Sequence, residues 1–441
     1  MRTLVLVDGE HYPPVSRWAI EVARERGYDV VAALLVGGSE KLGPGETPDL
    51  GVDVRVGGTD RMRSLREAIE ATKPAAILDL SDEPVLGYRE RMELIGVSLV
   101  AGIPYIGPDF RFEPPDAGPP LRVPTLAVIG TGKRTGKTAI AGEVARVADG
   151  MGLSPVVVAM GRGGPAEPQV AEPGSVDLER LLELLGQGEH ASSDYLEDAL
   201  TTGVATVGAR RAGGGLAGAP FASTVREAAA LAAERPTGLV ILEGSGAAVP
   251  PVPWDAAVLV IPAAAPPEYV GGYLGPYRLL RSDLAVVTMS SGPSGPEHLS
   301  SLRSHVRRFL DDERYLVTDF VPKPLADVAG RRVFFTTTAP EAVAADQASH
   351  LAKNHGCEIV GWSSRLADRA GLTEDLQRAG RFEVLLTELK AAAVDIACGT
   401  ALSLGAEVVF VDNRAVVREG KDLSTALREL IQLARERASR R

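Results

Sequence analysis

The chain has 441 residues, of which 45% are hydrophobic and 24% are charged, and its formal net charge is −11. This length predicts two or three domains, and the composition is ordinary for a globular protein. The negative charge argues against general nucleic-acid binding, and no apolar run is long enough to cross a bilayer. With two isolated cysteines, Cys357 and Cys398, these features predict a reduced, cytoplasmic protein without a membrane or nucleic-acid partner.

The first segment alternates apolar runs with amphipathic stretches, which predicts a parallel sheet covered by helices. The predicted strands are 3–7, 29–36, 75–80 and 103–106, and the predicted helices are 15–26 and 88–101. No dinucleotide fingerprint follows the first strand, where Asp8, Glu10 and His11 stand in a position to touch a ligand. We therefore interpret residues 1–120 as a Rossmann-like N-terminal α/β domain without that fingerprint.

A proline-rich linker at 107–124 leads into a second domain, which we assign to residues 121–441. An apolar strand there is followed by a glycine-rich run and then by a helical pattern. The run consists of Gly130, Thr131, Gly132, Lys133, Arg134, Thr135, Gly136, Lys137 and Thr138. This order is typical of a phosphate-binding loop, although the first glycine is one residue earlier than usual. All nine residues are predicted to bind nucleotide, with Lys137 on the β and γ phosphates and Thr138 on Mg²⁺.

The rest of the second domain continues the α/β pattern. Predicted strands are 155–160, 238–242, 256–261, 284–289, 315–320, 332–336 and 407–411, and predicted helices include 176–186 and 193–200. From about residue 326 the pattern indicates a C-terminal α/β extension. The predicted fold class is α/β, with a P-loop NTPase-type parallel sheet core and a separate Rossmann-like N-terminal α/β domain.

An acidic residue stands at the end of one buried strand of this core. Glu243 follows the strand at 238–242, and Gly244, Ser245 and Gly246 come directly after it. An acid in this position beside a phosphate loop is where Mg²⁺ is bound, directly or through water. We predict that Thr138 and Glu243 hold the metal, that Glu243 is catalytic, and that Gly244 and Ser245 contact substrate.

Arginines embedded in glycine form two further clusters. Arg162 follows the strand at 155–160, and Arg210 and Arg211 lie in the run at 207–215. A guanidinium group fits phosphate or carboxylate, so all three are predicted to bind substrate. We expect Arg210 and Arg211 to sit on a glycine-hinged loop, and we expect Arg162, Lys133 and Lys137 to be catalytic. This positive charge exceeds what a nucleotide and Mg²⁺ need, so the substrate should be small and heavily anionic.

Two families share motifs with the chain. The loop at 130–138 and the Glu-Gly-Ser-Gly motif at 243–246 resemble dethiobiotin synthetase, although Gly132 replaces an Mg²⁺-binding aspartate of that family. Over essentially its full length the chain resembles the cyclic 2,3-diphosphoglycerate synthetase family, through these motifs and the runs at 7–14, 193–200 and 207–215.

The second resemblance implies an ATP-dependent ligase. Its reaction would close 2,3-bisphosphoglycerate into a cyclic pyrophosphate and release ADP and phosphate, with Mg²⁺ as cofactor. One substrate phosphate would be phosphorylated and then attacked by the other. A homodimer is expected because enzymes of this loop class frequently place a loop lysine or arginine across a dimer interface.

Two alternatives remain open. A dethiobiotin-synthetase-like ligase would act on a carboxylate, but one carboxylate needs one arginine and not a pair. A non-enzymatic nucleotide switch or metallochaperone often carries a His/Cys cluster, whereas the six histidines are scattered. The residues alone do not choose between ATP and GTP, because no Asn-Lys-x-Asp guanine motif is present and adenine contacts leave weaker traces.

Overall fold

The computed structural model describes residues 1–38, 46–292 and 294–441. The chain divides into two compact units. The first comprises Met1–Asp116, Pro266–Arg281 and Ser304–Phe309, and the second comprises Ala117–Ala265, Ser282–Arg303 and Leu310–Arg441. Among the described residues, no helix is both long enough and apolar enough to cross a membrane.

A six-stranded sheet forms the first unit. Its strands are β1 (Arg2–Val7), β2 (Asp29–Leu35), β3 (Asp53–Val56), β4 (Ala76–Asp79), β5 (Tyr105–Ile106) and β6 (Arg111–Phe112). Its helices are α1 (Pro13–Glu25), α2 (Arg61–Thr72), α3 (Tyr88–Val100), α8 (Pro267–Gly271) and α9 (Gly275–Leu280). The order is β3-β2-β1-β4-β5-β6, with parallel pairing except between β5 and β6. The predicted parallel α/β character is confirmed.

The sequence patterns missed β3 and α2, and one short strand falls in the predicted linker. Strand β3 is four residues long and partly exposed, so it lacks the apolar run by which buried strands are recognised. Strand β6 lies between Pro108 and Pro114 and, among the described strands, pairs with β5 alone, at the edge of the sheet. An edge position tolerates neighbouring prolines because one side of the strand needs no backbone donors.

The second unit is built on a larger sheet. Its strands are β7 (Thr125–Gly130), β8 (Val156–Gly161), β9 (Gln169–Ala171), β10 (Ala205–Ala212), β11 (Ala222–Ser223), β12 (Val240–Glu243), β13 (Ala256–Pro262), β14 (Leu284–Thr288), β15 (Tyr315–Pro324), β16 (Arg332–Thr336), β17 (Glu358–Ser363), β18 (Val384–Thr387) and β19 (Glu407–Glu419). Its helices are α4 (Lys137–Gly150), α5 (Leu178–Gly186), α6 (Asp194–Thr202), α7 (Val225–Ala233), α11 (Glu341–His355), α12 (Arg369–Arg378), α13 (Gly399–Ser403) and α14 (Leu423–Ser439), while α10 (Pro296–Val306) begins here and ends in the first unit. A 3-10 turn (Asp312–Arg314) and a π-helical turn (Ala393–Cys398) complete it.

Seven parallel strands, in the order β10-β8-β12-β7-β13-β14-β15, form the core of this sheet. Strand β7 is completely buried and lies between β12 and β13. The chain order reverses around β7, because β8 and β12 lie on one side of it and β13 on the other. Such a switch point opens a crevice at the carboxyl ends of the strands, where ligands bind in open α/β sheets. The predicted P-loop-type parallel core is confirmed.

Strand β19 continues the sheet into the C-terminal strands. Its first residues pair in parallel with β18, and its later residues pair in antiparallel fashion with β15. Strands β18, β16 and β17 then extend the sheet in parallel. One apolar core contains side chains from α5, α6 and the C-terminal strands, including Leu181, Leu196 and Leu385. The C-terminal strands are therefore packed directly against helices of the phosphate-loop region.

Candidate active site

The phosphate loop joins the end of β7 to the start of α4 and requires glycine at two positions. A Cβ atom at Gly136, whose φ is +86°, would lie 2.5 Å from the Phe320 ring. A Cβ atom at Gly130 would lie 2.8 Å from Oγ1 of Thr135. The loop is also anchored from behind, because Thr288 Oγ1 donates to the Thr135 carbonyl at 2.7 Å. The earlier position of the first glycine is thus compatible with a tight, well-supported loop.

Lys137 begins helix α4 and folds back over its own loop. Its Nζ donates to the Gly132 carbonyl at 2.8 Å and to Thr135 Oγ1 at 3.2 Å. The residue is 7% exposed, and burial lowers the pKa of its ammonium group while the charge of Glu243 opposes that shift. The ammonium is held against the loop by one backbone carbonyl and one hydroxyl, in the part of the fold where a P-loop lysine contacts the phosphates of a nucleotide.

Thr138 and Glu243 meet across the crevice. Thr138 Oγ1 donates to Glu243 Oε1 at 2.8 Å, over 105 residues of sequence. Glu243 is the last residue of β12 and pairs in register with Val128 of β7, so neighbouring strands place the two groups together. Burial raises the pKa of Glu243 to about 7, and the negative charge of Asp194 acts in the same direction. The two residues predicted to hold a metal are in contact.

Two acidic residues of α6 face this pair and were not predicted as site residues. Asp194 and Asp198 are four residues apart, which places them on one face of the helix. Asp198 is completely buried, and burial followed by the charge of Glu243 raises its pKa well above the usual value. The Asp-x-x-x-Asp spacing inside the run at 193–200 indicates two acids on one face of a helix. The sequence does not show, however, that this helix lies beside the phosphate loop.

The oxygen atoms in this cluster have the chemistry of an Mg²⁺ site. Within the described residues, both carboxylate oxygens of Asp198 and Oε2 of Glu243 are buried without a hydrogen-bond partner. Buried oxygens of this kind need a proton or a cation. The described part of the chain contains no group of three or more His, Cys, Asp or Glu side chains arranged around a metal. One or two carboxylates, a hydroxyl and substrate phosphates are, however, the usual Mg²⁺ ligands, and Thr138, Glu243 and Asp198 fit this set.

Basic side chains converge on the turn after β12. Arg211 is 5% exposed and donates from Nη2 to the Ser245 carbonyl at 2.7 Å and to Ser245 Oγ at 3.2 Å. Burial lowers the pKa of Arg211, and the nearby positive charge of Arg162 lowers it further. A Cβ atom at Gly246 would lie 3.2 Å from Arg211 Nη2 and 3.7 Å from Cγ of Lys133. Arg211 and Lys133 therefore border the turn at Ser245 and Gly246, and the charge of Arg162 acts on Arg211.

The prediction of a mobile loop carrying Arg210 and Arg211 was wrong. Both residues belong to β10, where Arg210 pairs with Gly161 of β8 and Arg211 pairs with Ser223 of β11. Ladder pairing with β8 and β11 holds both arginines within the sheet, so they do not lie on a glycine-hinged loop. The glycine at 208 serves close packing, because a Cβ atom there would lie 2.7 Å from the Tyr195 ring.

The strand geometry also separates the two arginines. Successive side chains of a strand point to opposite faces, and only Arg211 faces Ser245. Arg210 is exposed and donates from Nε to the Gly164 carbonyl at 2.7 Å. Arg134 of the phosphate loop is exposed as well.

In the first unit, Asp8 and His11 form a closed hydrogen-bonded group. Asp8 Oδ1 lies 2.8 Å from His11 Nδ1 and also accepts from the backbone of Glu10 and His11, and Oδ2 accepts from Asp82 N at 2.8 Å. Burial acts to raise the pKa of Asp8, but these hydrogen bonds hold it below the usual value. The carboxylate is satisfied by the protein itself, which is what a structural turn requires.

Family models match three successive parts of the chain. The N-terminal domain of cyclic 2,3-diphosphoglycerate synthetase matches residues 2–113, its P-loop domain matches 125–318, and its C-terminal domain matches 324–414.

Proteins carrying the same name are similar over almost the whole chain. The protein of Rubrobacter xylanophilus is 47% identical over 426 residues, covering 96% of each chain. That of Thermococcus sibiricus is 39% identical over 430 residues, covering 97% of this chain and 98% of its own. That of Methanothermus fervidus is 37% identical over 447 residues, covering 98% of this chain and 97% of its own.

Proposed function

The chain belongs to the cyclic 2,3-diphosphoglycerate synthetase family, and from this membership we propose that it is an ATP-dependent synthetase that closes 2,3-bisphosphoglycerate into its cyclic pyrophosphate. The observation that carries the proposal is that Arg211 and Lys133 border the turn at Ser245 and Gly246, beside a phosphate loop that already has Lys137, while the charge of Arg162 acts on Arg211. A nucleotide alone needs fewer cations, whereas a bisphosphate brought next to a triphosphate needs several.

The reaction balances as two successive phosphoryl transfers. A terminal oxygen of one substrate phosphate attacks the γ-phosphorus of ATP, and the bond from that phosphorus to the β-phosphate oxygen breaks, releasing ADP. An oxygen of the second substrate phosphate then attacks the inner phosphorus of the new anhydride, and inorganic phosphate leaves as the ring closes. Both steps bring anions together, so the protein contributes mainly alignment and charge neutralisation.

The residues divide these tasks by position. Lys137 and the loop backbone from Gly130 to Thr138 would bind the ATP phosphates, and Lys137 would stabilise charge on the transferred group. Arg162 and Lys133 would stabilise the leaving and entering phosphates, and Arg211 with Gly244 and Ser245 would hold the bisphosphate. Arg210 lies on the other face of β10, so we assign it at most a peripheral part in substrate binding.

Mg²⁺ would be held by Thr138, Glu243 and Asp198. When bound, the ion neutralises phosphate charge and polarises the transferred group. The buried, unpartnered oxygens of Asp198 and Glu243 are hard ligands of the kind Mg²⁺ prefers, and Asp194 adds negative charge that acts on Glu243, which supports this assignment. The same two carboxyl groups could instead share a proton in the absence of the ion, which the raised pKa values of both groups favour.

A homodimer acting in the cytoplasm, where ATP is available, completes the proposal. Light scattering coupled to gel filtration measures the mass in solution, which should be twice the chain mass of 46.3 kDa. A monomer of full activity would contradict this part and leave the chemistry unaffected.

The decisive experiment is ³¹P NMR of the protein with ATP, Mg²⁺ and 2,3-bisphosphoglycerate. The two substrate resonances should be replaced by pyrophosphate resonances of a cyclic product while ADP and phosphate appear in equal amounts. Parallel samples should omit ATP, replace it with GTP, or contain the Lys137→Ala variant. ATP hydrolysis without a cyclic product, or no reaction at all, would contradict the proposal.

A further inference from the structure

An ion pair joins the C-terminal strands to helix α6. Lys390 follows β18 by three residues and places its Nζ 3.2 Å from Oε1 of Glu197. The Glu197 side chain is 12% exposed and the Lys390 side chain is 34% exposed. Because the carboxylate is largely removed from water, the contact is worth more than an ordinary surface pair, and losing Lys390 leaves a largely buried carboxylate without its partner.

The Lys390 end of this pair is held rigidly. Glu388, two residues earlier, accepts from the backbone and hydroxyl of Thr338 at 2.9 Å each, from Thr337 at 3.1 Å and from Asn413 at 2.8 Å. Leu389 is 1% exposed and belongs to the apolar core that also contains residues of α5 and α6. Lys390 therefore projects from a fixed segment.

The Glu197 end belongs to the acidic face of α6. Asp194, Glu197 and Asp198 are spaced by three and four residues, so their side chains share one face of the helix. Asp198 lies beside Glu243, and the charge of Asp194 interacts with the charges of both Lys137 and Lys390. The helix thus carries the two unpredicted acids of the site on the same face that Lys390 contacts.

We propose that Lys390 is a positioning residue for the phosphate-loop site: its ion pair with Glu197 fixes α6 so that Asp194 and Asp198 face Lys137 and Glu243. Lys390 acts through Glu197 and does not itself touch the reacting groups. The C-terminal strands are thereby part of the catalytic unit. The activity readouts below rest on the proposed function, while the binding readout does not.

Five variants test this role. Lys390→Met removes the charge and keeps the stem, Lys390→Arg keeps the charge, Glu197→Gln removes the charge of the partner, and Lys390→Met/Glu197→Gln removes both charges. Lys421→Met is the matched control, because Lys421 forms an exposed ion pair with Glu429 at the far end of β19. Each variant is assayed for kcat, for KM of both substrates, for the Mg²⁺ concentration at half-maximal rate, and for Tm.

Lys390→Met should lower kcat and raise the half-saturating Mg²⁺ concentration by about tenfold or more, as removal of outer partners of a metal site commonly does. Lys390→Arg should restore most of the loss. The double variant should be less impaired than the sum of its single changes, because Glu197→Gln removes the buried carboxylate that Lys390→Met leaves without its ion-pair partner. Lys421→Met should match the parent.

Two results would overturn the proposal. If Lys390→Met lowers Tm while kcat and the Mg²⁺ requirement stay within twofold, the pair only stabilises the fold. If it raises KM for the bisphosphate with an unchanged Mg²⁺ requirement, Lys390 is a substrate contact.

Calorimetric binding of ATP with and without Mg²⁺ separates this question from the proposed function. A parent protein that makes no cyclic product would refute that function. The gain in ATP affinity on adding Mg²⁺ would still test the role of Lys390. We expect this gain to be smaller in Lys390→Met than in the parent and unchanged in Lys421→Met.

Discussion

The guanidinium of Arg211 donates to the backbone carbonyl of Ser245 at 2.7 Å, and this bond ties β10 to the turn that follows β12. The adjacent Arg210 reaches the Gly164 carbonyl on the other face of the strand. The two arginine side chains therefore lie on opposite faces of the same strand, which makes them a matched pair for mutagenesis.

Arg211→Ala should raise KM for the bisphosphate more than about tenfold, because loss of a charge-assisted phosphate contact costs roughly 1.5–3 kcal/mol. ATP affinity should stay nearly unchanged, and Arg210→Ala should have the smaller effect on both ligands. Calorimetry with each ligand separately measures the two affinities. Equal losses for ATP and bisphosphate in Arg211→Ala would show that this side chain serves the nucleotide.

Lys137→Ala should lower kcat by about 10²–10³-fold or more, since it removes the cation that stabilises the transferred phosphoryl group. The far-ultraviolet circular dichroism spectrum should match the parent, because the loop is also held by Thr288 and by the start of α4. Single-turnover rates with saturating substrates report the chemical step. Near-normal turnover in Lys137→Ala would contradict the assignment of this loop as the ATP site.

Glu243→Gln should sharply raise the Mg²⁺ concentration needed for activity, and Asp198→Asn should change it in the same direction. Both substitutions remove negative charge from the buried oxygens that face each other beside Thr138. Glu227→Gln, which neutralises an exposed acid in the first turn of α7, is the control. Superimposable Mg²⁺ titrations of parent and Glu243→Gln would show that Glu243 is not at the metal.

Glu143→Gln should destabilise the protein at neutral pH and should do so much less in acid. Arg414 donates to both carboxylate oxygens of Glu143, at 2.7 and 3.2 Å, which links α4 to β19. Burial acts to raise the pKa of Glu143, but the hydrogen bond from Arg414 and the charge of Arg146 hold it below the usual value.

The sign of this effect follows from the lowered pKa. A carboxyl group whose pKa is lowered on folding adds stability above its unfolded pKa and loses it as pH falls through the folded value. Urea unfolding at pH 7 should show a loss of about 1.5–3 kcal/mol, typical for hydrogen bonds to charged groups, and the loss should shrink below about pH 4. A difference independent of pH would mean that packing, and not the ionised carboxylate, is responsible.

The phosphate loop and its flanking strands were predictable because local sequence determines them. Strands β7 and β12 are buried on both faces and read as uninterrupted apolar runs, and the loop requires glycine at fixed places. The position of Glu243 at the end of β12 follows from the same pattern, since apolar residues stop where the strand leaves the core.

The acidic residues that lie beside Thr138 and Glu243 could not be predicted, because their position depends on contacts between distant segments. Nothing in the run at 193–200 indicates that α6 packs beside the loop, so Asp194 and Asp198 look like ordinary surface acids. The prediction that Arg210 and Arg211 lie on a hinged loop was wrong for a related reason. Their neighbouring glycines suggested a hinge, whereas Gly208 admits the Tyr195 ring and the ladder to β8 keeps the segment extended.

The long strand β19 makes the second unit indivisible. Residues 411–419 pair with the edge of β15 that faces away from β14, and residues 407–410 pair with β18. A fragment cut near residue 325 would leave β15 with a row of unpaired amide and carbonyl groups and would uncover the apolar sides of α5 and α6. Exposed edges of this kind recruit other chains into aggregates. Expression of the nucleotide-binding half alone should therefore give insoluble material, and any engineered exchange of modules has to carry the C-terminal strands with it.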